Sequence, residues 1–356
     1  MQLLQGKEIE FSINEAEGFM PIVFVHLNSK IPRYLLTNIK STIQRFPKNK
    51  VVLIVNQNTG KTKIKGLVVY KYEEDDNWNS LLNCLSHPKN FRNNFWMTSI
   101  ARFFALEQLL RSYENEIIHI ESDVLLSNDF PFNLFTNSEK EIAFPVVSKE
   151  RGVSSTLYIR NLQMIRKLNR FVISEANLNS ETSDMIILRK FYDKFNNQIE
   201  ILPIGPGIKE YYKESIDLKL FSEIAYGVTY FNGIFDGNDI GVYFFGTNPE
   251  NLRGKTILGR LINLNYARVE KWVPIYNYER NFMDLKINNE GPSIPIYSIH
   301  ATVKSNSVFS IKKQKKVIKL RIKQFRNGER TEIIISVFVY QIFKYIRKQY
   351  FRKFFG

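Results

Sequence analysis

The segment Ile118-His-Ile-Glu-Ser-Asp-Val-Leu-Leu126 is an apolar β-run that contains two carboxylates, Glu121 and Asp123. Residues i and i+2 of an extended segment face the same side, so both acids can point into one space. Two like charges that close repel unless a cation lies between them, and hard oxygen ligands suit Mg²⁺ or Mn²⁺. Open α/β sheets collect ligands at the carboxyl ends of their strands, which is where this pair falls. The plainer alternative is a solvated turn. Three further groups of matching chemistry lie elsewhere in the chain. Arg102 stands nineteen residues before Glu121, and His300 and Lys304 follow the apolar segment that starts at Pro295.

The elements that must position these groups read as α/β. Pro21 to Asn28, Val51 to Asn56 and Leu67 to Tyr70 are short apolar runs of the buried-strand kind. Tyr34 to Phe46 has helical spacing between the first two. Strand, helix, strand at this distance implies a βαβ crossover and a mostly parallel sheet flanked by helices. Phe95 to Tyr113 is the clearest helix, with a broad apolar face that also carries Arg102, and it leads into a strand from Glu116. Glu73 to Asn77 reads as an acidic loop. Further strands are expected at Ile142–Val147, Val153–Ile159, Glu200–Ile204 and Pro295–His300, with helices at Leu162–Val172 and Thr182–Phe195. The stretch Phe231 to Phe245 completes the body.

With these residues in place, the chain resembles the GT-A glycosyltransferases, a Rossmann-like fold of nucleotide-sugar enzymes with a "DxD" motif. Glu121-Ser-Asp123 matches that motif with Glu at the first position. A second segment, Ile234-Phe-Asp-Gly-Asn-Asp-Ile-Gly-Val-Tyr-Phe-Phe-Gly-Thr-Asn-Pro249, is similar to the "FDgaaiGqYlgGvdPrn" stretch of bacterial and viral members that build surface polysaccharides. The resemblance spans Pro21 to Ser307. It implies Asp123, His300 and Glu121 as ligands of Mn²⁺ or Mg²⁺. Lys304 would lie on the donor phosphates, and Arg102 near the acids and the donor sugar. Asn28 and Asn56, at the ends of the first two strands, would seat the nucleobase and ribose. Asp236 lies 113 residues after Asp123 and would be the general base of an inverting transfer. Its alternative is an N-cap on the helix that follows, and Asp239 is the fallback base. The partners implied are a nucleotide-sugar donor and a saccharide or glycolipid acceptor. A sugar nucleotidyltransferase or a non-catalytic membrane-associated scaffold are the competing readings. The nucleotidyltransferase would want a glycine-rich loop after the first strand, and Asn28 to Arg33 contains no glycine.

Composition bounds these readings. The chain has 356 residues, 44% hydrophobic and 24% charged, which are globular values. One cysteine, Cys84, excludes a disulfide framework and a cysteine-based zinc site. Four histidines leave little for a multi-histidine metal centre. His26 reads as core or pocket wall, His119 as packing near Glu121, and Trp78 and Trp272 as core. Met1 to Phe11 carries Glu8 and Glu10 and is not expected to be a signal peptide.

The net charge is +15, and its distribution is uneven. From Phe309 to Gly356 there are 14 Lys or Arg against two Glu, so +12 of the total sits in the last segment. The organisation expected is therefore a GT-A domain over 1–308 and a basic amphipathic tail over 309–356. Within the domain, a nucleotide-sugar half covers about 1–130 and an acceptor half about 131–308. The tail mixes aromatic and basic residues, which suits an anionic membrane surface. The alternative is a last helix packed on the body with a solvated basic face. Its apolar run Ile333 to Phe343 is too short to span. No nucleic-acid motif accompanies the charge. The expected location is cytoplasmic, peripheral on the inner face of the membrane.

Overall fold

The computed structural model describes residues 19–27, 30–56, 64–86, 95–113, 115–212, 216–245, 272–287, 292–301, 304 and 306–326. The amino-terminal part runs β1 (Ile22–His26), α1 (Arg33–Arg45), β2 (Val51–Val55), β3 (Leu67–Lys71), α2 (Asp76–Cys84) and α3 (Phe95–Ser112). Then come β4 (Ile117–Ile120), β5 (Val124–Leu126), α4 (Phe132–Thr136), β6 (Ile142–Ser148), β7 (Arg151–Gly152) and β8 (Thr156–Ile159). The middle continues as α5 (Leu162–Leu178), α6 (Asp184–Phe195), β9 (Ile199–Leu202), α7 (Leu218–Phe231), β10 (Ile234–Phe235) and α8 (Asp239–Phe245). The last elements are β11 (Trp272–Asn277), β12 (Phe282–Ile287), β13 (Ser293–His300), a helical turn at Asn306–Phe309 and α9 (Ile311–Arg326).

The main sheet has the order β3-β2-β1-β4-β8-β6-β7, with β9 paired to β6. β3, β2, β1 and β4 run parallel, and β8 enters antiparallel to both β4 and β6. The fold is thus mixed α/β around a largely parallel sheet flanked by helices. Its central strands are continuous apolar runs because both faces are covered. Val23, Val52 and Ile54 pack toward α2, α3, α5 and α6, while Ile22, Phe24, Val51, Leu53 and Val55 pack toward α1 and α4. The acidic stretch is a loop over residues 73–75, as expected, but its last two residues, Asp76 and Asn77, already belong to α2. Asp75 is its N-cap, accepting from the amides of Asn77 and Trp78 at 3.1 and 3.2 Å.

A second, smaller sheet was not anticipated from the sequence. It has the order β10-β13-β12-β11, with β5 on the other side of β13. β11 and β12 form an antiparallel hairpin, and β13 runs antiparallel to β12 and β5. This sheet joins residues of the expected amino-terminal half to residues near 300.

The composition break near residue 308 is not a break in packing. Phe309 is fully buried, and Ile318 and Ile322 of α9 belong to the core of the second sheet with Trp272 and Phe282. Ser41 Oγ donates to Phe309 O, and Arg45 Nη2 donates to Gln314 Oε1, at 2.5 Å each. Residues 311–326 therefore follow the packed-helix alternative. The rest of the tail, with the apolar run Ile333–Phe343, lies outside the described residues. Among the described residues no helix is long and apolar enough to cross a membrane.

One charge in the main sheet is poorly placed. Glu200 on β9 is buried, and burial pushes its carboxyl up to about 7, with Glu223 adding to the rise against the pull of Lys140. A folded-state value above the unfolded one means that the folded protein holds this proton more tightly. The stability it brings is present at low pH and is lost as pH rises from 4.5 to about 7. Glu200→Gln should then stabilise the protein at about pH 8 by roughly 2 kcal/mol, after allowing for partial exposure, and by little near pH 4.5. Urea unfolding at the two pH values measures this. Equal effects at both would place the shift elsewhere.

Candidate active site

Glu121 and Asp123 meet in a turn, not on an extended strand. Glu121 O accepts from Val124 N at 3.1 Å, which closes a four-residue turn between β4 and β5. Their convergence is therefore not the i, i+2 alternation expected from the sequence. Other elements hold the turn. Glu121 N donates to Ser155 O at 3.1 Å. Asn38, buried on α1, donates through Nδ2 to Ser122 O and Val124 O at 3.1 and 2.8 Å. Tyr34 OH lies 3.2 Å from Ser122 Oγ. On the other side, β13 pairs with β5 so that His300 stands opposite Val124, and Ala301 N donates to Asp123 O at 2.7 Å. Strand pairing thus delivers His300 to the acids. Ligand atoms of Glu121, Asp123 and His300 all lie within 4.8 Å of one another.

Three cations answer these acids. Arg102, projecting from α3, pairs through Nη1 with Glu121 Oε1 and lies 3.4 Å from Asp184 Oδ2 through Nη2. Ser154 Oγ accepts from Arg102 Nη1 at 3.0 Å and donates to Glu121 Oε1 at 3.1 Å. His300 Nε2 is 3.0 Å from Glu121 Oε2, and Lys304 Nζ is 3.4 Å from Asp123 Oδ2 and 5.5 Å above the Tyr34 ring. Burial alone would raise the Glu121 carboxyl, but Arg102 and His300 outweigh it and hold it well below its usual range. Burial would lower His300, yet its hydrogen bond to Glu121 and the nearby charges push it up to about 9. Asp123 lifts Lys304 above its ordinary value. His119 is the opposite case. Burial and then Arg102 push it down to about 3, and its Nδ1 donates to Val23 O at 3.0 Å, so it is neutral.

These groups line a cavity of about 320 Å³, within the size range of small-ligand sites. Its wall also includes His26 at the end of β1, Trp96 at the start of α3 and Asp184 at the start of α6. The donor set is two carboxylates and one imidazole, which fits Mn²⁺ or Mg²⁺ in chemical type. His300 Nε2 would have to give up its proton and Lys304 its contact for the acids to hold an ion.

Asp236 requires a correction. Its side chain is fully buried and absent from the cavity wall. Oδ1 accepts from the amides of Asn238 and Ile240 at 2.8 and 3.1 Å, and Oδ2 accepts from those of Gly241 and His300 at 2.8 and 2.9 Å. Four backbone donors occupy the carboxylate, so it has no oxygen turned toward an acceptor hydroxyl. This is the capping alternative, extended so that the cap also fixes the backbone of His300. Asp239, the fallback, is the first residue of α8 and likewise lies off the wall. The expectation of inversion stood on Asp236 alone and is left without a residue to carry it. Asn56 is also off the wall, tying β2 to β1 by donating to Leu27 O at 3.1 Å. Asn28 lies outside the described residues. Trp272 is core, as expected, and so closely packed that a Cβ at Gly205 would lie 2.7 Å from its ring.

The sequence reading missed Asn38, Ser154, Tyr34 and Asp184. Asp184 carried a usable signal, since Thr182-Ser-Asp opens a helix and Ser183 Oγ caps it at 3.4 Å from Ile186 N. The other three are single polar residues with no pattern around them.

No protein-family model matches the chain, and no curated protein matches it. Solved structures overlap with it in part. Mouse xyloside xylosyltransferase 1, in its apo form, aligns over 52% of this chain and 85% of its own at 8% identity and a TM-score of 0.37. The PaToxG glycosyltransferase aligns over 50% and 70% at 12% identity and 0.35. A transferase carrying two cysteine-to-serine substitutions aligns over 58% and 90% at 10% identity and 0.34. The likeness is partial at these scores, and the chemistry of the site rests on its own residues.

The Asp236 geometry can be tested directly. Asn offers one acceptor oxygen and would turn an amide toward backbone N–H groups. Asp236→Asn should therefore cost about 2–4 kcal/mol in unfolding free energy, as expected for buried donors left unpaired. Gly241→Ala should be as damaging, because a Cβ there would meet His300 O at 1.8 Å. A general base would behave differently: Asp236→Asn would leave denaturant midpoints unchanged and remove only turnover.

Proposed function

We propose that this protein is a metal-dependent glycosyltransferase that moves a sugar from a nucleotide-sugar donor to a saccharide or lipid-linked saccharide acceptor. The observation that carries the reading is the convergence of Glu121, Asp123 and His300 beside Arg102 and Lys304 in one cavity. Acids placed to hold a hard cation, flanked by fixed positive side chains, are what a sugar-bound diphosphate needs. Glu121, Asp123 and His300 would hold the ion. Bound there, it would neutralise charge on the diphosphate as the anomeric bond breaks.

The chain's own residues do the rest. Arg102 is held by Ser99 O, Ser154 and two carboxylates, so its guanidinium is oriented before any ligand enters. Lys304 adopts a left-handed backbone conformation, φ 53°, immediately after the strand that carries His300. That turn brings its ammonium back over Asp123, within reach of a leaving phosphate. Asp184 is buried on the wall beside Arg102 and is an acceptor for a sugar hydroxyl.

Incubation with a panel of nucleotide sugars, with and without Mn²⁺, tests the reading. Slow hydrolysis of one donor to a nucleoside diphosphate, only with the cation, is expected. Release of pyrophosphate from a nucleoside triphosphate and a sugar phosphate would indicate a nucleotidyltransferase instead. Failure to turn over any donor would leave no transferase.

Asp123→Ala should weaken Mn²⁺-dependent nucleoside diphosphate binding by roughly 100-fold or more with the fold intact. Isothermal calorimetry reads this. Unchanged affinity would remove Asp123 from the metal site.

A further inference from the structure

Helix α9 has two faces of opposite character. Ile318 and Ile322 are buried against the second sheet and Gln314 against Arg45 of α1, while Lys312, Lys313, Lys315, Lys316 and Lys323 are exposed. From Ile311 to Lys323 there are seven cationic residues and no acidic one. Like charges stand one turn apart at Lys312/Lys316, Lys315/Lys319 and Lys319/Lys323, spacings at which they destabilise a helix. Among the described residues, Lys312, Lys313, Lys316 and Lys323 form no ion pair. The helix is held by its packed face, and on its outer face Lys312, Lys313, Lys316 and Lys323 carry charge that no described acid answers.

Apolar groups share that outer surface. Leu320 is 52% exposed between Lys316 and Lys323, and Tyr278, at the tip of the β11–β12 hairpin, is 70% exposed. Lys319 Nζ sits 4.2 Å from the centre of the Tyr278 ring and donates to its hydroxyl at 3.0 Å, and Lys315 lies over the same ring at 5.8 Å. The hairpin and the helix therefore present one surface, cationic along α9 with Leu320 among its lysines, and with Tyr278 at the tip beside a single exposed acid, Glu279.

We infer that the outer face of α9 and the tip of the hairpin form a docking surface for an anionic lipid bilayer. Lysines would meet the headgroup charge, and Leu320 and Tyr278 would enter the boundary region, where amphipathic and aliphatic side chains are favoured. The apolar stripe of α9 is already buried in the protein, so the helix lies on the bilayer as part of a rigid body and does not insert. Nucleic acids and acidic glycans would use the lysines but not the exposed leucine.

The test uses the full chain with vesicles of phosphatidylcholine alone or mixed with phosphatidylglycerol. Binding is expected to the mixed vesicles only, and to be reversed by salt. Changing Lys312, Lys313, Lys316 and Lys323 together to Gln should weaken partitioning by roughly 100-fold or more. These side chains are exposed and two of the repelling pairs are relieved, so the thermal transition should be unchanged or slightly higher and nucleotide binding should stay as in the parent. A second variant, Leu320→Gln with Tyr278→Ser, should weaken vesicle binding several-fold and leave heparin binding unchanged. No binding to anionic vesicles, or binding that the four-lysine variant leaves intact, would overturn the inference. So would binding to heparin or DNA that the four-lysine variant abolishes while vesicles are ignored.

Discussion

The site depends on keeping two carboxylates in one four-residue turn without their repulsion opening it. Two charges about 4–5 Å apart interact by roughly 3–4 kcal/mol at the effective dielectric of a protein, enough to matter against the stability of a domain. The protein answers with Arg102 on Glu121, Lys304 on Asp123 and a charged His300 between them. It also ties the turn to α1 through Asn38 and to β13 through Ala301. A site balanced in this way can take up a cation and a polyanion together with little change in net charge. The acids would turn to the ion, and Lys304 would leave Asp123 for the anion beside an Arg102 that is already oriented.

The segment around Asp236 is explained by the same requirement at the level of the backbone. His300 must come within reach of Glu121, so β13 has to run close beneath the start of α8. Gly241 permits that approach, and Gly237 does the same beside Val147, where a Cβ would lie 2.3 Å from Cγ1. The Asp236 carboxylate then collects the four amides left over at this junction, one of them belonging to His300 itself. The segment that resembles one carrying a general base is here a junction whose carboxylate fixes the backbone of β13 at His300.

How much could be read beforehand follows from the same physics. β1, β2 and β4 were legible because strands buried on both faces are unbroken apolar runs, and α3 because it is long and strongly apolar. Glu121, Asp123, His300 and Lys304 were legible because ionisable residues at the ends of apolar segments are conspicuous, and Arg102 because it interrupts the apolar face of α3. The β11–β12 hairpin was not, since Pro274, Asn277 and Arg280 interrupt its alternation and its pairing depends on distant β13. Asp236 was ambiguous in principle. A cap and a base both appear as an aspartate before a helix, and only the direction of four N–H groups separates them. The capping role of Asp75 was missed for a related reason, because an acidic loop looks the same whether it is only solvated or leads into a helix.

The basic segment shows the limit of composition from another side. A strongly charged stretch at the end of a chain suggests a separate tail, but α9 is helical and anchored because Gln314, Ile318 and Ile322, four residues apart, are buried, the glutamine held by Arg45 and the isoleucines in the core. Apart from Lys315 and Lys319, which reach the Tyr278 ring, its lysines do not contribute to that anchoring. They repel one another along the outer face, and the helix would be more stable with acids among them. A surface that is unfavourable for its own helix, is placed rigidly and has no acidic neighbours on that helix is best accounted for by a partner that supplies the missing negative charge. Because α9 packs on the same small sheet that carries His300, whatever binds that surface also meets the body that holds the site, and the two are fixed in one frame.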